Sequence, residues 1–263
     1  MIVVTAAVGS PPAITYGAAM ERRPIGLLFA MAGEAKPVID ALGLLPVAPP
    51  AIAVGLPFRY WSGGRGNTPV VAAVSGTDPR FGVDNIGLEP AALAAFAAIR
   101  GFTPALLINA GTAGSFAARG ANVGDVYVSG GPFRFHDHRV PLGPFAQYGR
   151  GDFQGVDVTA LATKLGLKTG GISSGSSLDY TERDIAELQA NGATLKEMEA
   201  TAIAWVCTWT ATRFFAVKAV TNLLDVTPAS PDAFTRNFST ATAVLARVLP
   251  TVLDEALASG LHR

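Results

Sequence analysis

Six stretches of this chain predict strands. The runs at 24–31, 105–111 and 214–220 are almost continuously apolar, which is typical of strands covered on both faces of a parallel sheet. Two further runs flank a glycine-rich turn at 63–67, and the sixth begins at Gly124. The predicted strands are residues 24–31, 58–64, 69–74, 105–111, 124–129 and 214–220.

Segments with helical spacing of apolar positions alternate with these strands. They are residues 32–42, 88–99, 197–205 and 231–253. Ser230 is predicted to cap the last helix. The alternation predicts an α/β fold with a mixed, mostly parallel central sheet. We expect one domain over residues 23–263, preceded by a poorly ordered N-terminal extension over residues 1–22. A secretory signal is the weaker interpretation of that extension, since no basic residue precedes its apolar start.

Composition narrows the kind of partner that the chain takes. Among 263 residues, 20 basic side chains balance 20 acidic ones, and only 15% of residues are charged. The chain has no stripe of basic residues, so we do not expect nucleic acid as a partner. Its apolar runs are interrupted by polar residues, glycine and proline, so we expect no membrane-spanning helix. The single cysteine, Cys207, suits a reducing compartment, so we expect a cytoplasmic protein. A small molecule is the expected ligand.

Polar residues gather where predicted strands end. Glu34 follows the first strand, Thr112 follows Gly111 at the end of the fourth, and Asn222 follows the last. Ligands of open α/β sheets bind at the carboxyl ends of strands, which makes these residues candidates for a site. Glu199, with Glu197, stands where a helical pattern begins, and a carboxylate there is suited to accepting hydrogen bonds from sugar hydroxyls. The simpler interpretation of Glu34 is an acid favoured by a helix dipole.

Two other motifs predict different chemistry. Residues 171–175 fit the G-x-S-x-G pattern of a nucleophile elbow, with Asp225 and His262 in triad order. An elbow needs a helix that starts at the serine, whereas residues 174–180 predict a polar turn. His136 and His138 have the spacing of two metal ligands on an extended segment, but a third ligand is missing. We therefore expect neither a serine hydrolase nor a metal site.

Taken together, the motifs resemble those of the nucleoside phosphorylase superfamily, and within it the plant-type 5′-methylthioadenosine nucleosidases. The resemblance extends over nearly all of residues 24–258. The matching stretches are 26–44, 82–87, 108–129, 135–149, 174–179, 195–206 and 218–234. It implies a three-layer α/β/α sandwich with a mixed, partly barrel-like sheet, usually dimeric. It also implies hydrolysis of the bond between ribose and adenine in 5′-methylthioadenosine or a similar purine nucleoside, in methionine salvage, with no cofactor and no metal.

The resemblance also implies roles for individual residues. Glu34 matches the acid that activates the attacking water. Substrate contacts are implied for Thr112, Gly114, Leu178, Met198 and Glu199: the first two beside the ribose, Leu178 under the purine, and the last two as a ribose-binding pair. Phe135 and His136 match a segment that approaches the site of the neighbouring subunit.

The chain departs from the family pattern at two positions. Asn222 stands where the family has the aspartate that protonates the departing purine, and an amide cannot act as that acid. Ser176 stands where the family usually has an aspartate beside the base loop. Three hypotheses follow: a purine nucleosidase of the methylthioadenosine type, a nucleosidase or phosphorylase of 6-oxopurine nucleosides, and a non-catalytic nucleoside-binding or storage relative.

Overall fold

The computed structural model describes residues 22–226 and 231–263, with backbone alone at residues 231 and 232. Almost all of the expected N-terminal extension, residues 1–21, lies outside the described residues, and so does Ser230, the predicted helix cap. The expected single domain over 23–263 stays a prediction.

Strands and helices alternate along the described chain. The strands are β1 (Ile25–Phe29), β2 (Leu45–Val47), β3 (Arg59–Arg65), β4 (Thr68–Val74), β5 (Thr77–Asp78), β6 (Val83–Asp84), β7 (Leu106–Ser115), β8 (Val126–Phe135), β9 (Gly151–Phe153), β10 (Lys168–Ser174), β11 (Leu195–Glu197) and β12 (Arg213–Leu223). The helices are α1 (Ala32–Leu42), α2 (Leu88–Phe102), α3 (Phe145–Arg150), α4 (Thr159–Leu165), α5 (Glu182–Ala190), α6 (Ala200–Thr210) and α7 (Pro231–Ala258). Short 3-10 turns lie at Ala51–Ala53 and Ala117–Arg119.

The central strands β4, β1, β7 and β12 run parallel to one another. Beyond β4, strands β3 and β2 continue the sheet in antiparallel pairing. On the other side, β12 pairs with β8, β8 with β10 and β10 with β11, and β11 returns to pair with β7. This return closes five strands into a small barrel at one end of the sheet. The mixed, partly barrel-like sheet is therefore confirmed.

Helices cover both faces of the sheet and bury its strands. One apolar cluster joins α1, α4 and α7 to the sheet through side chains such as Val38, Leu161 and Leu245. A second cluster joins α2 and α6 to the opposite face through Ala95 and Ile203. The three-layer α/β/α arrangement is thus confirmed. Even α7, with 28 residues, is not apolar enough to cross a membrane, nor is any other helix among the described residues.

The segment around residue 197 differs from the sequence prediction. Residues 195–197 form strand β11, and the helix begins only at Ala200. Lys196 pairs with Ser173 on one side and with Gly114 on the other, and these contacts between distant parts of the chain override the local helical pattern. Glu197 consequently belongs to a strand.

Candidate active site

Glu34 lies in the first turn of α1, directly after β1, and its carboxylate is buried against β7. It accepts hydrogen bonds from the backbone N–H of Thr112 (2.7 Å) and from the Thr112 hydroxyl (2.8 Å). A third comes from the N–H of Met31 (3.3 Å). Burial raises the pKa of Glu34 above its ordinary value, although the charge of Lys218 and the bonds from Thr112 oppose this rise. A surface acid that serves only the helix dipole would not be buried in this way.

Glycines on β7 make room for the polar side chains beside them. A Cβ at Gly111 would lie 2.9 Å from Glu34 Oε1, and a Cβ at Gly114 would lie 3.1 Å from Asn222 Nδ2. The glycine-rich stretch therefore admits two of the candidate side chains close to the backbone. Sequence alone indicates only that some group approaches the chain here.

A buried ion pair lies beside Glu34. Lys218 Nζ is 2.8 Å from Glu197 Oε2, and both side chains are 1% exposed. Glu197 also accepts hydrogen bonds from the Ser174 hydroxyl and from the N–H groups of Glu199 and Ala200. Burial alone would raise the pKa of Glu197, but the charge of Lys218 and these bonds outweigh burial and lower it. Glu197 is thereby held ionised in the interior.

Lys218 is a buried charged residue of the candidate site that the sequence did not lead us to expect. Burial alone would lower its pKa, but the carboxylates of Glu197, Glu199 and Glu34 together raise it. One ammonium thus sits among three buried carboxylates. The available signal was a lone lysine inside the apolar run 214–220, because a buried charge requires a partner.

Glu199 precedes α6 as its N-cap residue and is 8% exposed. One oxygen accepts a hydrogen bond from the N–H of Gly87 (3.0 Å). Burial, followed by repulsion from Glu197 and Glu34, raises the pKa of Glu199 to about 7. A carboxylate has about four acceptor positions, so Glu199 keeps capacity for ligand hydroxyls. The half-buried Met198 stands between the two carboxylates in sequence.

Asn222 lies at the end of β12, where a β-bulge changes the register. Val220 pairs with Ala113 and Asn222 with Gly114, so Thr221 is the additional residue. Bulges commonly redirect a side chain beside a functional site. Here Asn222 Oδ1 accepts a hydrogen bond from the Thr221 hydroxyl (2.9 Å). Asp225, three residues further on, is engaged elsewhere, since its two carboxylate oxygens accept hydrogen bonds from the N–H groups of Ala117 and Ala118.

The loop after β10 carries Leu178, whose side chain is 47% exposed. The carbonyls of Ser177 and Leu178 accept hydrogen bonds from Lys196. The N–H of Ser176 donates to Asp137 Oδ2 (2.6 Å). The loop is therefore held from two sides, with its apolar side chain left accessible.

Comparison with known proteins adds to this geometry. The family model described as "Phosphorylase superfamily" matches residues 24–254. The chain belongs to the phosphorylase superfamily. It is 35% identical over 235 residues to a 5′-methylthioadenosine nucleosidase of Arabidopsis thaliana, covering 88% of each chain. It is 34% identical to a 5′-methylthioadenosine/S-adenosylhomocysteine nucleosidase of the same plant, covering 89% of this chain and 93% of the relative. The apo structure of Arabidopsis thaliana 5′-methylthioadenosine nucleosidase superposes with a TM-score of 0.85, 35% identity, and coverage of 89% and 96%.

Residues 171–175, which match the G-x-S-x-G pattern, do not form a nucleophile elbow. Ser173 lies within β10, and the next helix begins only at Glu182. The neighbouring imidazole is that of His136, whose Nδ1 lies 3.3 Å from Ser173 Oγ. Burial, together with the charge of Lys196, lowers the pKa of His136 to about 4, so this ring is a neutral core side chain.

Phe135 and His136 are buried within the chain's own fold. Phe135 is 7% exposed and stacks on His138 with ring centroids 4.0 Å apart, and His136 is 3% exposed. Among the side chains that the structure describes, those of residues 22–226 and 233–263, no group of three or more His, Cys, Asp or Glu is placed to hold a metal ion. An approach of this segment to a neighbouring subunit stays a prediction.

Proposed function

We propose that this chain is an N-ribohydrolase that cleaves 5′-methylthioadenosine, or a similar purine nucleoside, to the free base and the (methylthio)ribose in nucleoside and methionine salvage. The names of the Arabidopsis relatives support this substrate class. The observation that carries the proposal is the placement of Glu34 and Glu199, two buried carboxylates with raised pKa, around the ammonium of Lys218.

The two carboxylates have different tasks in the proposed reaction. Breaking the bond between ribose C1′ and purine N9 develops positive charge on the sugar and negative charge on the base. Glu199 accepts hydrogen bonds from the ribose hydroxyls, and its negative charge stabilises the cationic sugar. Glu34 accepts a proton from the water that attacks C1′. A raised pKa suits this task, because a general base works best with a pKa near the working pH.

Ligand contacts are proposed for the residues around these carboxylates. Thr112 orients Glu34 through its hydroxyl and N–H, and Gly114 leaves space beside the ribose. Met198 packs against the sugar. Leu178 offers an exposed apolar side chain to the face of the purine.

Replacing Glu199 with glutamine is expected to weaken binding of the ribose. The neutral amide keeps the shape but loses the charge-assisted acceptor, which costs about tenfold or more in affinity. In the wild type, binding weakens as pH falls through about 7, since the raised pKa means that Glu199 becomes protonated there. The variant should lose this pH dependence. Calorimetric titration of a non-hydrolysable nucleoside analogue between acid and neutral pH measures both effects, and unchanged affinity would contradict the role of Glu199.

Replacing Asn222 with aspartate is expected to raise the rate of adenine release by about tenfold or more, because a carboxylic acid can protonate the purine whereas an amide only donates a hydrogen bond. Steady-state adenine release at several pH values measures this gain. Exposed Asn122, changed to aspartate, is the matched control. An unchanged rate for Asn222→Asp would mean that another group already protonates the base.

A homodimer in the cytoplasm is also proposed. Exposed aromatic side chains support a partner surface: Phe145 and Tyr148 on α3 are 58% and 65% exposed, and Trp209 on α6 is 73% exposed. Cys207 is a free, buried thiol, which suits a reducing compartment. Sedimentation of the purified chain measures the oligomeric state.

A nucleoside panel tests the substrate class. 5′-Methylthioadenosine, adenosine, inosine and guanosine are supplied separately, and release of the base is followed. The proposal predicts that the adenine nucleosides are cleaved, with 5′-methylthioadenosine preferred. Cleavage of inosine without cleavage of 5′-methylthioadenosine would mean that Asn222 has retuned the site to 6-oxopurines. Tight binding without any cleavage would mean a binding protein.

A further inference from the structure

Lys196 is a second buried lysine, and it has no part in the reaction proposed above. It lies on β11 and is 5% exposed. Its Nζ donates hydrogen bonds to the carbonyls of Ser177 (2.6 Å) and Leu178 (3.1 Å). None of the ion pairs formed by the described residues involves it. An ammonium has three N–H donors, so one remains without a partner in the described part of the chain.

The sheet places Lys196 on the same side as Asn222. Lys196 pairs with Gly114 across β11 and β7, and Gly114 pairs with Asn222 across β7 and β12. Side chains that lie opposite one another in neighbouring strands leave the same face of the sheet. Gly114 has no side chain, and the atoms nearest to the position of its missing Cβ are Leu224 Cδ2 (2.9 Å) and Asn222 Nδ2 (3.1 Å). The backbone pairing therefore brings the positions of Lys196 and Asn222 to either side of Gly114, and the Lys196 ammonium lies at the carbonyls of the Leu178 loop.

We propose that Lys196 neutralises the departing purine, less effectively than a carboxylic acid at position 222 would, so that it fulfils in part the task that Asn222 cannot. This inference rests on the proposed nucleosidase function. As the C1′–N9 bond breaks, its electron pair passes to the purine, and a proton moves from Lys196 Nζ to a ring nitrogen of the base. The attacking water forms the new C1′–O bond and gives its proton to Glu34. Solvent then returns a proton from Glu34 to the neutral amine, so that the net change is addition of one water molecule.

The surroundings of Lys196 support the proton transfer. Burial lowers its pKa despite the opposing charges around it, which makes the ammonium a stronger acid than an exposed lysine. The charged groups that face it lie on β11, the Leu178 loop, the segment after β8 and α5. They are Glu197, Asp179, Asp137 and Asp184, with the neutral His136 also near.

The experiment compares two leaving groups. Lys196→Met is assayed on 5′-methylthioadenosine and on the para-nitrophenyl glycoside of 5-methylthioribose, whose nitrophenolate leaves without protonation. We expect the variant to lose about 100-fold or more in kcat on the nucleoside but less than about threefold on the nitrophenyl glycoside. Lys164→Met removes an exposed lysine of α4 and is the matched control. Equal losses on both substrates, or no loss on either, would overturn the proposal.

A second variant separates this role from support of the loop. Adding Asn222→Asp to Lys196→Met should restore cleavage of the nucleoside by a larger factor than Asn222→Asp gains in the wild type, because the new acid replaces the lost one. Equal factors in the two backgrounds would overturn the proposal. Should Lys196→Met not fold, Lys196→Gln, which keeps N–H donors for the two carbonyls, is assayed in the same way. A wild type that cleaves neither substrate would instead overturn the nucleosidase function itself.

Discussion

Replacing Glu34 with glutamine is expected to lower kcat for 5′-methylthioadenosine by roughly 10²–10⁴-fold, the usual worth of a general base. The amide oxygen can still accept both hydrogen bonds from Thr112, so the local geometry is retained while the ability to take a proton from water is lost. Adenine release under saturating substrate measures the effect.

Stability should not fall in Glu34→Gln. Because burial raises the pKa of Glu34, the ionised form is disfavoured in the folded protein, and a neutral side chain of the same shape removes that cost. Thermal unfolding measured beside the kinetics checks this. Asp40→Asn, which changes an exposed acid of the same helix, is the matched control. A Glu34→Gln enzyme within about threefold of the wild-type rate would mean that another group activates the water.

Replacing Lys218 with methionine is expected to reduce the free energy of unfolding by about 3–5 kcal/mol, because the variant leaves Glu197 as an uncompensated charge in the interior. The pair is 2.8 Å apart, with both side chains 1% exposed, so water cannot replace the missing ammonium. Urea unfolding at neutral pH measures the loss.

A double variant tests the cause of that loss. Lys218→Met combined with Glu197→Gln removes both charges and should be more stable than Lys218→Met alone. The interaction free energy from this cycle isolates the ion pair from the loss of packing. If the single variant loses less than about 1 kcal/mol, the charge of Glu197 is balanced by other means.

The central strands could be predicted from sequence because strands buried on both faces are written as continuous runs of apolar residues. The runs at 24–31 and 214–220 became β1 and β12 with small changes at their ends. Strand β11 could not be predicted, since its three residues are ordered by pairing with β7 and β10. The local sequence there has the apolar spacing of the helix that follows. At residues 195–197, pairing with distant strands therefore determines the structure, and the local helical spacing of apolar residues does not.

The sequence indicated which residues belong to the candidate site, but it did not indicate how their charges are arranged around one another. Sequence indicated Glu34 and Glu199 as separate acids, but only the fold brings both to Lys218. The direction of Asn222 depends on the bulge at Thr221, which leaves no periodic pattern. His136 is a neutral core side chain, because burial and the charge of Lys196 lower its pKa to about 4.

Hydrolysis of 5′-methylthioadenosine in phosphate-free water enriched in the heavy oxygen isotope tests the central claim most directly. Mass spectrometry of the sugar product follows the label. The account predicts free adenine and methylthioribose that carries one heavy oxygen at C1, with a rate that does not rise when phosphate is added. Adenine released only with phosphate, together with a methylthioribose phosphate, or no adenine under any condition, would contradict it.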